Sequence, residues 1–177
     1  MRHALIDDNV LLLQQGIELL GRLDVGQYTA VDPGTKSGLG GHFRHILDHY
    51  GCFLVGADRG VVDYEGRSRD PRVETILAEA VAKAAEIIAA LEAWEGRNLT
   101  EPARIRLDGF TAEGENEWSL SSLERELQFL VSHTVHHYAL IGYILKARGM
   151  KLDEDFGVAP STLRYRQRLA ACAPVGG

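Results

Sequence analysis

Four stretches of the chain repeat apolar residues at the three- and four-residue spacing of one helix face, and this pattern limits the fold more than any other feature. Over 4–23 the stripe is Leu5, Ile6, Val10, Leu13, Ile17, Leu20 and Leu23; over 37–57 it is Phe43, Ile46, Leu47, Tyr50, Phe53 and Leu54. Over 70–94 it is Val73, Leu77, Val81, Ala84, Ile88 and Leu91, behind a start signal of Asp70, Pro71 and Glu74. The fourth stretch opens on Ser121 and Glu124 as a capping box and runs to Gly149 as its stop. Stripes of this kind are stable only when buried against one another, so the spacing predicts an all-α, four-helix bundle.

The connections refine this picture. Asp24, Gly26 and an Asp32-Pro33-Gly34 turn break the first helix from the second, and residues 58–70 form a polar connector. Residues 96–120 are too many for a bare helix–helix link, and Arg104–Leu107 and Glu117–Leu120 alternate as short strands do. The reading is a long crossover carrying a short hairpin between helices three and four. A short last helix is expected over 161–171. Gly38, Gly40 and Gly41 crowd the first turns of helix two, where each costs about 1 kcal/mol relative to Ala. They imply a close approach by another backbone or a ligand.

With 177 residues, 45% of them apolar, the chain is expected to be one domain, 1–177, able to bury a core without disulfides. Its 19 Lys and Arg against 25 Asp and Glu leave a net charge of −6, which argues against a nucleic-acid partner. Cys52 and Cys172 cannot build a disulfide framework and suit a reducing compartment. Asp7 and Asp8 interrupt the apolar run that a secretory leader needs, and no segment has the length of a membrane span. The expectation is a cytoplasmic protein with no membrane partner.

Six of the seven histidines fall in two clusters: His42, His45 and His49 on helix two, and His133, His136 and His137 on helix four. At 100° per residue the first three span about 60° of arc beside the apolar stripe. His133 and His137 share a face with Glu126 two turns earlier, whereas His136 points elsewhere. An open divalent-metal site needs three protein ligands and a free position, and a His-x-x-x-His pair facing an imidazole on another helix supplies them. On the wheel alone, His42 and His49 lie nearer the centre of the stripe than His45, so the helix-two ligand is not fixed by geometry.

The segments Gly41-His42-Phe43-Arg44-His45-Ile46-Leu47-Asp48-His49 and Ser132-His133-Thr134-Val135-His136-His137-Tyr138 resemble the two histidine segments of the DinB/YfiT-like family. The order of elements over roughly 4–150 agrees as well. The resemblance implies an up-down-down-up four-helix bundle with a three-histidine metal site holding zinc, nickel or iron. Carried over by motif position, the ligands fall on His45, His133 and His137, with His49 as the alternative to His45. Some branches of the family are S-transferases or isomerases that use low-molecular-weight thiols such as bacillithiol or mycothiol, and others have no established activity.

Asp48 is then a candidate carboxylate partner for a ligating imidazole, and Glu126 a candidate general base. Cys52 lies on the histidine side of helix two and could add a sulfur or simply fill space. Arg67 and Arg69 offer a clamp for a substrate carboxylate, against the blander reading of a solvated connector, and Tyr138 and Tyr143 read as packing residues. The function expected is that of a small metalloenzyme that activates water or a small thiol toward a small-molecule substrate. The competing expectation is a non-enzymatic, stress-associated bundle with a structural metal or none. The Ala-rich third helix and the long apolar first helix, together with the resemblance, imply a homodimer.

Overall fold

The structure, a computed structural model, describes residues 3–31, 37–106 and 118–172. Their elements run α1 (Ala4–Leu20), α2 (Val25–Thr29), α3 (Leu39–Ala57), β1 (Val61–Asp63), α4 (Pro71–Thr75), α5 (Leu77–Glu92), β2 (Pro102–Arg106), β3 (Trp118–Ser122), α6 (Leu123–Ala147) and α7 (Pro160–Cys172). The chain is thus mostly helical but not all-α, because a three-stranded sheet in the order β1-β2-β3 accompanies the helices. The expected Asp32-Pro33-Gly34 turn lies outside the described residues, as do Leu107 and Glu117 of the expected strands.

The long helices are those that the apolar stripes predict. Helix α1 packs on α5 and α6, and α3 packs on the same two, so that α3 and α6 face each other along a seam. The core behind that seam contains Ile6, Val10 and Leu13 of α1, Phe43, Ile46 and Tyr50 of α3, Ala84 and Ile87 of α5, and Leu127, Leu130 and Ile141 of α6. Small residues on α5 let α1 and α3 approach it closely.

Three local expectations are corrected. The third helix is broken at Ile76, whose φ of −117° and ψ of 103° are extended, into α4 and α5. The carbonyl of Val73 accepts from the buried Tyr28 hydroxyl at 2.5 Å, and a Cβ on Gly40 would run into the carbonyl of Glu74. Tertiary partners have replaced the helical ones there. The cap of α6 is Ser122, whose side chain accepts from the Arg125 N–H, one residue beyond Ser121, because β3 extends through Ser122. Asp24 and Gln27 form a capping box that starts α2, where the sequence reads as a plain break.

The hairpin is present: β2 and β3 pair antiparallel, from Pro102 opposite Ser122 to Arg106 opposite Trp118. Strand β1 was not expected; it adds in parallel, Val61 opposite Arg104. Its role for the site is to carry the chain from α3 to Tyr64, whose N–H donates to the Arg106 carbonyl. No helix among the described residues is long and apolar enough to cross a membrane.

One buried polar network crosses the core. The Asn9 amide donates to the carbonyls of Leu5 and Leu127, the Tyr50 hydroxyl donates to Asn9 Oδ1 at 2.7 Å, and Thr134 Oγ1 donates to the Tyr50 hydroxyl at 3.3 Å. It joins α1, α3 and α6 through the residues that follow His49 and His133.

Candidate metal centre

The α3–α6 seam brings five imidazoles together. From the N-terminal end of α3 they interleave as His42, His137, His45, His133 and His49, alternating between the two helices. His42 Nδ1 lies 3.0 Å from His137 Nδ1, and His45 Nε2 lies 3.0 Å from His133 Nε2. The His49 ring is 4.1 Å from that of His133, and the His137 ring is 4.6 Å from His133 and 4.7 Å from His45. His45, His49 and His133 each offer a ligand nitrogen within 4.8 Å of the other two. Of the ligands assigned by motif, His45 and His133 are in this tight group, and His137 stands beside it. His136 is exposed and outside the tight group, with its ring 5.2 Å from that of His137.

The protonation of these rings follows from their surroundings. Burial, and after it the charge of neighbouring imidazoles, holds His45 down at about 3, His133 at about 2 and His137 at about 4. His42 is lowered for the same reasons. At neutral pH these rings are uncharged and keep a lone pair for a cation. His49 is 4% exposed, and its Nδ1 donates to the His45 carbonyl at 2.7 Å, which leaves Nε2 as the ring's acceptor, with Arg67 Nη1 3.5 Å from it. His133 Nδ1 is buried with no hydrogen-bond partner. Uncharged borderline donors, two of them in nitrogen-to-nitrogen contact, and an orphaned ring nitrogen fit a divalent ion of the zinc, nickel, copper or iron class.

The sign of a pH effect on the metal-free protein follows. The unfolded chain protonates these histidines near 6.5, the folded chain only at the lowered values. Between them the unfolded state holds more protons, so stability rises with pH. It is expected to be complete above about pH 6.5 and to fall steadily as the pH drops toward 4. Melting temperatures of chelator-treated protein measured from pH 7.5 to 4 check this, and a flat profile would contradict the neutral, buried cluster.

Asp48, expected as a carboxylate partner of an imidazole, accepts instead from Ser68 Oγ at 3.0 Å through Oδ1, and its Oδ2 is buried with no hydrogen-bond partner, so no imidazole N–H reaches it. Arg67 donates to the Tyr64 carbonyl at 2.6 Å and places Nη1 3.5 Å from His49 Nε2. Arg69 is exposed, with a left-handed φ of 49°. Cys52 is a free, half-buried thiol outside the tight group, and burial pushes its pKa up. It opens on a cavity of about 580 Å³ shared with Asp48, Val55, Lys83 and Trp118. Tyr138 is buried as expected and donates to the Leu12 carbonyl, whereas Tyr143 is 77% exposed and packs on little.

Glu126 is 4% exposed and reaches the histidines only through another residue. Its Oε2 accepts from the Tyr64 hydroxyl at 3.0 Å, and the Tyr64 ring stacks on His49 with centroids 5.4 Å apart. Sequence reasoning missed Tyr64. The available signal was the one aromatic residue of the 58–70 connector.

Comparison with known proteins adds two findings. The family model described as the DinB superfamily matches residues 14–141, which include all five seam histidines. FK506-binding protein 5 of Rhizopus delemar is 29% identical over 105 residues, 59% of this chain and 27% of that protein. The chain therefore spans just over a quarter of that relative's length.

Proposed function

The chain belongs to the DinB superfamily, and from that premise we propose that it is a divalent-metal protein whose ion is bound at the α3–α6 seam and serves catalysis. The observation that carries this reading is the convergence of uncharged imidazole nitrogens, those of His45, His49 and His133 within 4.8 Å of one another. His45 and His133 are ligands in either ligand set. Motif register assigns the third place to His137, and proximity assigns it to His49. Asp48 is bonded to Ser68 and makes no hydrogen bond to an imidazole, so it has no part in this reading.

A bound divalent ion acts as a Lewis acid that lowers the pKa of water or of a small thiol. The chain's own contribution is to keep its imidazoles neutral, so that they do not repel the cation, and to hold them on two rigid helices. Arg67, anchored on the Tyr64 carbonyl beside His49, would receive an anionic group of the substrate or thiol. The reaction class is thiol transfer to, or hydrolysis of, a small electrophile. In this reading the four long helices form an up-down-down-up bundle within one domain.

Protein purified without a polyhistidine tag is to be analysed for metals. Loaded and metal-free forms are then compared for turnover of a small anionic thiol with an epoxide acceptor. One ion per chain, with turnover only in the loaded form, supports the reading. An absence of metal overturns it, and metal without turnover removes thiol transfer while leaving metal binding in place.

A further inference from the structure

Helix α6 buries a carboxylate near its start, that of Glu126. Both oxygens of Glu126 accept from hydroxyls, Ser121 Oγ at 2.6 Å on Oε1 and Tyr64 on Oε2 at 3.0 Å, the pattern of a carboxylate anion. Among the described residues its hydrogen-bond partners are these two hydroxyls, and no ion pair to it is seen. The hydroxyl dipoles and the N-terminus of α6 stabilise an anion there but supply only partial charge. At 4% exposure this carboxylate has hydrogen-bond donors but no counter-charge beside it.

The histidine seam has the opposite imbalance. Its ligands are neutral, so a divalent ion arrives with two positive charges that no ligand cancels. A single layer of aromatic rings separates the two. Tyr64 stacks on His49 and also meets Phe129 at 5.4 Å, and Phe129 stacks on His133 at 5.5 Å with an interplanar angle of 28°.

We infer that Glu126 is the buried charge partner of the cation at the histidine seam, and that Tyr64 is the positioning residue that ties this carboxylate to His49. The inference rests on the metal reading above. It assigns Glu126 an electrostatic role in place of the general-base role that its helix face suggests. In low-dielectric surroundings a carboxylate acts on a divalent ion across such a layer, where solvent screening is weak.

The test measures zinc affinity by chelator competition and the melting temperature of the metal-free forms, for wild type, Glu126→Gln, Glu126→Asp and Tyr64→Phe. Glu126→Gln is expected to weaken zinc binding by about threefold to tenfold, at or below the low end of the range for groups bonded directly to a ligand. Its metal-free form should melt no lower than wild type, because an uncharged amide is cheaper to bury. Glu126→Asp keeps the charge and should retain more affinity than Glu126→Gln. Tyr64→Phe keeps the ring on His49, loses only the hydroxyl link, and should also bind zinc more weakly.

A Glu126→Gln protein that melts lower yet binds zinc as wild type does would show a structural role only, and would overturn the inference. If that variant does not fold, unchanged affinity in Tyr64→Phe overturns it equally. Wild-type protein that binds no zinc, nickel or iron would remove the metal reading itself. Wild-type binding with indifferent variants removes only this inference.

Discussion

Replacing His133 by Ala is expected to strip the protein of most of its divalent ion, a loss of more than about 100-fold in affinity, beyond what outer partners of ligands cost. Three contacts converge on this ring. Its Nε2 meets His45 Nε2 at 3.0 Å, its centroid is 4.1 Å from His49, and it is 4.6 Å from His137. It therefore belongs to both ligand sets considered above, the one assigned by motif and the one assigned by proximity. His136→Ala is the control, one residue from His137 but exposed, and should keep the metal. Elemental analysis of both variants checks the expectation, and equal loss in the two would show that the ligands lie elsewhere. His49→Ala and His137→Ala, run beside them, identify the third ligand as the one whose removal empties the site.

Gly40→Ala should damage the fold itself, lowering stability by about 3 kcal/mol or more. A Cβ there would occupy the space of the Glu74 carbonyl oxygen and press on the Tyr28 ring. The carbonyl is backbone, held in the α4 turn between Pro71 and Thr75, so it cannot yield as a flexible side chain would. Gly51→Ala, on the same helix, offers the contrast. Its Cβ would meet nothing within 4 Å, and helix propensity alone predicts a gain approaching about 1 kcal/mol. Urea unfolding of the two variants measures both. If Gly40→Ala were as stable as Gly51→Ala, the close approach of α3 and α4 would have to be abandoned.

The same glycine shows how far the sequence can be read. The run Gly38, Gly40, Gly41 signals a close approach without saying what approaches. The structure supplies backbone, with Gly38 against the Ala30 carbonyl and Gly40 against that of Glu74. Helix faces were legible because burial repeats every three or four residues over several turns, a signal that accumulates. The break at Ile76 was not legible, since it depends on the Tyr28 hydroxyl, 45 residues away, taking the Val73 carbonyl. Strand β1 is three residues long and has only Val62 buried, too short for periodicity to reveal it.

At the site, the two histidine clusters were legible as spacings, and their meeting along one seam followed from two stripes that needed partners. The interleaving order was not legible. A helix wheel gives each residue an angle but gives no axial offset between helices, and that offset decides whether His49 or His137 stands nearer to His45 and His133. Tyr64 was hard to read for another reason. It belongs to no periodic element, and its importance comes from what β1 and β2 place around it.

The network of Asn9, Tyr50 and Thr134 fixes that axial offset. It ties α3 to α6 at the residues directly after His49 and His133, using hydrogen bonds that a one-residue slip would break. The seam above it therefore behaves as a mounting plate, whose holes are set by the network and whose fittings are the side chains at 42, 45, 49, 133 and 137. Carboxylates or thiols exchanged for some of those imidazoles would be held at the same spacing, with a different preference among ions. By the same reasoning, a change at Asn9, which touches no histidine, would loosen every fitting at once.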